Sequence, residues 1–257
     1  MGKIIAIGGG EIGRPRDDGG YYPIETTLID TEILRLTNKK SPTLLFLPTA
    51  SYDSQNYYEV VKKHFIKLGF SSVTPLYLSD KSLTKKHIED IILSHDAIYV
   101  GGGNTLRMMN TWRKMGVDKI LKLAYERDIV LSGLSAGSIC WFNYGNSDSR
   151  KFSSGSDKLI KVTGLGFIDA LHCPHYDTEP HRPADLKRMM KTTPKVAIAL
   201  DNCAALEIVD DTFRIIKSKL SAKARKVYWK NGKYFIEDIP PSESYTDISI
   251  LTQKLGN

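Results

Sequence analysis

The chain reads as a three-layer α/β protein: a mostly parallel sheet with helices on both faces, and antiparallel strands toward the C-terminus. Two observations predict this. Over the first 130 residues short apolar runs alternate with helical periodicity, and beyond about residue 160 the helical pattern gives way to short strands joined by turn signals. The expected early strands are Lys3–Ile7, Thr43–Pro48, Ser72–Leu76, Ala97–Val100 and Ile129–Leu131. Between them, apolar spacings of three and four predict helices over Glu25–Leu36, Asn56–Leu68, Lys85–Leu93, Thr105–Met115 and Asp118–Glu126. Ligands of such sheets bind beyond the carboxyl ends of the strands.

The later strands are expected at Val196–Leu200, Ala204–Val209, Phe213–Ile216, Lys226–Trp229 and Tyr234–Ile236. Asp210-Asp211 and Asn231-Gly232 link neighbouring runs, and the latter pair is a strong hairpin signal. No Pro/Ser-rich linker, repeat or low-complexity stretch marks a boundary, so residues 1–257 are expected to form one domain.

Hydrophobic content of 41% and charged content of 25% suit a globular protein with a substantial core. No apolar run approaches the roughly 20 residues of a membrane span, and the chain enters its first strand without a signal-peptide pattern. Cys140, Cys173 and Cys203 are odd in number and lie in apolar surroundings, which reads as reduced core thiols in a cytoplasmic protein. The net charge of +7 is concentrated in Arg214, Lys217, Lys219, Lys223, Arg225, Lys226, Lys230 and Lys233. These cations alternate with apolar residues in exposed hairpin strands, a solvated sheet face without a nucleic-acid signature. Gly8-Gly9-Gly10-Glu11-Ile12-Gly13 matches the G-x-G-x-x-G dinucleotide pattern, but Arg14 to Gly20 cannot open the helix that the motif requires. A long loop is expected there, with no nicotinamide or flavin cofactor.

The chemistry concentrates at Gly133-Leu-Ser135-Ala-Gly137, between the strand Ile129–Leu131 and a helix opening at Ser138 to Phe142. A serine at such an elbow presents its hydroxyl at the strand's carboxyl end, over a helix N-terminus. A base must take its proton. Three of the six histidines fall in Leu171 to Arg182, and His175, just after Pro174 at a strand end, is the chosen base. His172 is expected in the core and His181 in a loop. Asp148, in the polar segment Asn146 to Ser149, is the first choice to orient the base, with Asp177 and Glu179 as alternatives. Oxyanion donors are expected from the turn Val100-Gly101-Gly102-Gly103-Asn104-Thr105: the N–H of Gly102 or Gly103, acting with that of Ala136. Asn104, at the end of that turn, is a candidate substrate contact.

V-G-G-G-N-T at 100–105, G-L-S-A-G at 133–137 and C-P-H-Y-D at 173–177, in that order, resemble the peptidase family of dipeptidase E and cyanophycinase, family S51. The resemblance implies a flavodoxin-like or class I glutamine-amidotransferase-like scaffold, Ser135 as nucleophile, His175 as base and the Gly103 region in the oxyanion hole. Asp148 occupies the place of that family's aspartate, somewhat closer to the serine. The dipeptidase branch cleaves after an N-terminal aspartate, and Arg182 is by position the partner for its carboxylate. The expected substrate is therefore a small peptide, with no metal, nucleic acid or membrane involved and the oligomeric state open. Isoaspartyl or cyanophycin-like peptides are alternative substrates. A metal-dependent hydrolase using His172, His175, His181, Asp177 and Glu179, or a non-catalytic binder of acidic ligands, are the readings from other classes.

Overall fold

A computed structural model describes residues 2–253. The alternating half gives β1 (Lys3–Ile7), α1 (Thr27–Leu36), β2 (Thr43–Leu47), α2 (Gln55–Leu68), β3 (Ser72–Pro75), α3 (Lys85–Leu93), β4 (Ala97–Val100), α4 (Thr105–Met115), α5 (Val117–Glu126) and β5 (Val130–Leu134). Side-chain caps account for three of the helix starts. Ser54, Thr84 and Asn104 accept the N–H of Tyr57, His87 and Arg107, satisfying donors that a first turn leaves orphaned. The remainder gives α6 (Ala136–Ile139), β6 (Phe142–Ser147), α7 (Ser149–Ser154), β7 (Ile160–Thr163), β8 (Ile168–Cys173), α8 (Arg182–Met190), β9 (Ala197–Leu200), β10 (Ala204–Val209), β11 (Thr212–Lys217), β12 (Ala224–Lys230), β13 (Lys233–Ile239), β14 (Thr246–Asp247) and α9 (Ser249–Thr252).

The strands sort into two sheets. The larger runs β14-β11-β10-β1-β5-β4-β2-β3, with β1, β5, β4, β2 and β3 mutually parallel and β10, β11 and β14 antiparallel at one side. This is the expected mostly parallel sheet, with β10 and β11 extending it as foreseen. The smaller runs β13-β12-β9-β8-β6-β7 and was not foreseen as a separate sheet. Its β6 was hidden because Asn146 and Ser147 are polar yet buried. The Ser147 hydroxyl is satisfied by Thr105 Oγ1 (3.1 Å) and Ser149 Oγ (2.7 Å), so no apolar alternation marks the strand.

Parallel strands covered on both faces read as continuous apolar runs, as β1, β2, β4 and β5 do. One face of the larger sheet (Ile5, Ile7, Phe46, Tyr99) packs on α1 and α2. The other face (Ile4, Ala6, Ile98, Leu131) meets α3, α4, α5 and the inner face of the smaller sheet, through Trp141, Phe142, Ile198 and Leu200. Behind the smaller sheet, α8 covers Leu171, Cys173 and Ala199 with Leu186 and Met190. All three cysteines are buried free thiols. Among the described residues no helix is long and apolar enough to cross a membrane. Several late cations are internally paired rather than only solvated: Arg214 with Glu207 (2.9 Å), Arg225 with Asp201 (2.6 Å), and Lys219 with Glu25.

His172 lies between the sheets, fully buried and stacked on Phe142 at 4.6 Å. Its Nδ1 meets the Ile198 carbonyl (3.0 Å) and its Nε2 the Ser138 hydroxyl (2.8 Å), a satisfied core histidine. Burial pushes its pKa down from 6.5 to about 3. The unfolded chain therefore binds a proton that the folded chain refuses, and this contribution to stability is lost as pH falls below 6.5. Urea unfolding should show a loss of roughly 2 kcal/mol from this group between pH 7 and pH 5. In His172→Gln the pH dependence over that interval should be shallower by about one proton.

Candidate active site

β5 ends at Leu134 and α6 begins at Ala136, so Ser135 alone makes the turn, at φ 58° and ψ −111°. A side chain held at positive φ outside the usual wells costs about 1–3 kcal/mol and persists only where its surroundings fix it. Here the Ser135 N–H donates to the Ile7 carbonyl (3.1 Å), while its own carbonyl accepts from the N–H groups of Ser138 and Ile139 (both 3.0 Å). Gly133 and Gly137 are pressed together: a Cβ on Gly133 would lie 2.4 Å from the Gly137 carbonyl oxygen. The expected longer helix is only one turn, because the chain leaves at once into β6.

His175 follows the end of β8, and its Nε2 lies 2.6 Å from Ser135 Oγ. Its Nδ1 lies 2.7 Å from the side-chain oxygen of Asn202, in the link between β9 and β10. An amide oxygen only accepts, so Nδ1 carries the hydrogen and Nε2 presents its lone pair to the serine hydroxyl. Asn202 is fixed in turn. Its N–H donates to Asp177 Oδ1 (2.9 Å), and the preceding Asp201 is held by Arg225 (2.6 Å) and the N–H of Lys223 (3.0 Å). Gly9 passes behind the pair, where a Cβ would come within 2.1 Å of Asn202 Oδ1 and 2.2 Å of His175 Nδ1. The Gly8–Gly10 run thus backs the histidine, and no helix follows it until Thr27.

Asn202 therefore occupies the position expected of Asp148. Asp148 stands at the start of α7, whose Ser149 Oγ accepts the Leu106 N–H of α4 (3.0 Å); its charge reaches His175 and favours the imidazolium, but the hydrogen bond at Nδ1 belongs to Asn202. Arg182 is likewise elsewhere than expected. It is 1% exposed, its Nε and Nη2 grip Glu179 (2.9 and 3.2 Å), and its Nη1 donates to Asn146 O (2.6 Å) and Oδ1 (3.1 Å). The fork that suits a substrate carboxylate is taken by an internal one. Asn104, 5% exposed, caps α4 through the Arg107 N–H (3.0 Å) and does not face the cleft. The residues of the metal reading are spent on separate partners: His172 in the core, His175 on Ser135, Asp177 on Asn202 and Glu179 on Arg182; His181 is exposed ahead of α8.

A cleft of about 580 Å³ opens over the serine, lined by Ser135, His175, Gly102, Tyr57, Glu11 and Arg14. Gly102 lies close to the elbow, a Cβ there falling 3.5 Å from Ser135 Cβ, and its N–H donates to the Tyr57 hydroxyl (3.2 Å). Gly103, at φ +135°, packs on the Ala50 carbonyl. The long loop after β1 folds back as a flap through bridges Ile12↔Ile24 and Pro15↔Tyr21. Glu11 organises the flap: Oε1 accepts the N–H groups of Ile12, Gly13 and Arg14 (2.9, 3.1 and 3.0 Å), and Oε2 accepts Arg14 Nε and Nη2 (2.9 and 2.7 Å). Burial alone would raise the Glu11 pKa, but Arg14 and these amides hold it below the ordinary carboxylate value.

Residues 19–216 match the model of peptidase family S51. The chain belongs to peptidase family S51. It is 34% identical over 247 residues to the uncharacterized peptidase YgaJ of Bacillus subtilis (strain 168), covering 95% of this chain and 99% of that one. The uncharacterized peptidase Lin0382 of Listeria innocua is 29% identical over 167 residues, covering 62% of this chain and 78% of that one. The fold is similar to the crystal structure of a peptidase from an acI-B1 Actinobacterium, with a TM-score of 0.67, 16% identity and coverage of 96% and 97% of the two chains.

In this S51 chain, burial first and the Arg182 guanidinium second hold the His175 imidazole below its ordinary value of 6.5, while Asn202 opposes the shift. An NMR titration should place the His175 pKa below 6.5. Asn202→Ala should lower it further, and Asn202→Asp should raise it by supplying a negative partner.

Proposed function

We propose that the chain is a serine peptidase acting on short peptides with an acidic N-terminal residue. The observation that carries this reading is His175 bridging Ser135 Oγ and Asn202 Oδ1 at 2.6 and 2.7 Å in the base-competent tautomer. As Ser135 Oγ attacks the scissile carbonyl, its proton passes to His175 Nε2 and the carbonyl electrons become an oxyanion. The N–H of Ala136, which opens α6 directly after Ser135, is the backbone donor assigned to that charge. The imidazolium then protonates the leaving amine and the C–N bond breaks. Water, deprotonated by His175, attacks the acyl-enzyme, and the proton returns to Ser135 as the acid is released.

Asn202 takes the orienting role in this mechanism, as an amide does in Cys-His-Asn hydrolases. For the acidic side chain, Arg14 replaces Arg182. Glu11 occupies its Nε and Nη2, leaving Nη1 without a partner among the described residues, at the rim of the serine's cleft. A guanidinium already fixed by one carboxylate loses little freedom in gripping a second.

Fluorophosphonate treatment followed by mass spectrometry should give one adduct on wild type, at Ser135, and none on Ser135→Ala. An unlabelled, folded wild type sinks the serine mechanism. Aspartyl-alanine should be cleaved in preference to alanyl-alanine, and Arg14→Ala should raise KM for the aspartyl peptide by about tenfold or more while sparing the alanyl one. Arg182→Ala should instead lower the melting temperature, since it strands buried acceptors. Because His175 stays neutral to lower pH, the acid limb of kcat/KM should have its midpoint below 6.5, with activity lost as pH falls through it.

A further inference from the structure

Tyr57 stands in the first turn of α2, its N–H held by Ser54 Oγ (3.3 Å), and its ring meets Phe46 edge-on at 5.2 Å. The ring lies across Gly101, where a Cβ would come 2.8 Å from Tyr57 Cε1. The hydroxyl is thereby carried to the mouth of the Gly101–Gly103 turn, in the cleft that contains Ser135. There the Gly102 N–H donates into the phenol oxygen at 3.2 Å. A phenol has one hydrogen, and no acceptor among the described residues takes it. One of the two turn amides expected at the oxyanion is thus already engaged, and the group it engages has a donor to give.

We propose that Tyr57 is a catalytic residue: its O–H, polarised by the Gly102 amide, donates to the oxyanion that forms when Ser135 is acylated. The amide and the phenol act in series, because a hydroxyl that accepts a hydrogen bond becomes a better donor. Burial pushes the phenol up to about 12, so it remains a donor over the whole working range of a histidine base. The N–H of Ala136 supplies the second donor. The role rests on the serine-peptidase reading above and adds a residue to it.

The test compares wild type with Tyr57→Phe, which keeps the ring on Phe46 and Gly101. Two rates are measured: peptide turnover, and second-order labelling of Ser135 by a fluorophosphonate, whose attack also builds negative charge on an oxygen. Tyr57→Phe should lower kcat and the labelling rate by about 10²-fold, with KM within about threefold and an unchanged melting temperature. Gly101→Ala, which displaces the ring while keeping the phenol, should reproduce the loss if it folds. Labelling and kcat within about threefold of wild type in Tyr57→Phe overturn the proposal, as does a loss confined to KM. If wild-type Ser135 is itself unlabelled, the serine reading fails and this one falls with it; if wild type is labelled and Tyr57→Phe equally so, only the role of Tyr57 falls.

Discussion

The site depends on the short crossing from one sheet to the other at Asp201–Cys203. Ser135 hangs from β5 in the larger sheet and His175 from β8 in the smaller, and Asn202 sits in the link by which β9 of the smaller sheet becomes β10 of the larger. The contact of 2.6 Å between serine and histidine is therefore set by how the two sheets pack. That packing is apolar and dense, with Trp141, Phe142, Ile198 and Leu200 between the layers, and such interiors resist displacement more than a loop would. Cys203 N–H on the Gly9 carbonyl (2.8 Å) and Gly8 N–H on the Ala204 carbonyl (2.9 Å) fasten the same link to β1.

Charge is kept one step away from the base. Asn202 is neutral, and the carboxylate behind it, Asp177, meets its backbone N–H rather than the imidazole. Arg182 adds positive potential nearby, partly offset by Glu179 and Asp148. Burial and Arg182 outweigh the others and favour the neutral imidazole, the form that the proposed base requires. In the proposed mechanism the same effects make the imidazolium more costly than it would be beside an aspartate partner. On that mechanism more of the burden falls on stabilising the oxyanion, where Tyr57 and the Ala136 N–H are proposed to act.

Much of this was legible in the sequence. α3 and α4 fall at the expected residues, because burial at every third or fourth position and a capping side chain both act within a few positions of the helix. Ser135 was legible for the same reason: an elbow is a local backbone event with a local signature. His175 followed from its place at a strand end. Asn202 was not legible, since it lies 27 residues beyond its partner and only the crossing between sheets joins them. Asp148 drew the assignment because it was a carboxylate near the serine in sequence, yet it reaches His175 only through its charge, and the hydrogen bond at Nδ1 is made by Asn202. Arg182 misled for a chemical reason, as guanidinium geometry fits an internal carboxylate as readily as a bound one. The second sheet escaped notice because its β6 buries a hydroxyl satisfied by Thr105 and Ser149 and an amide satisfied by Arg182.

The glycine-rich stretch after β1 joins the two halves of the cleft. Its pattern matches the dinucleotide motif, but as the residues Arg14 to Gly20 imply, no helix follows until Thr27, and the glycines serve close packing. Gly8 and Gly9 lie against residues 201–202, and a Cβ at Gly9 would displace both the histidine and its asparagine. Two residues later Glu11 gathers three backbone amides and the guanidinium of Arg14. The backbone that backs the base therefore runs directly into the segment that presents the cleft's cation. Glycine is demanded at one end by contact and a carboxylate at the other by five donors, so this short stretch is constrained along its length. Orientation of the base and placement of the positive charge consequently share one structural element.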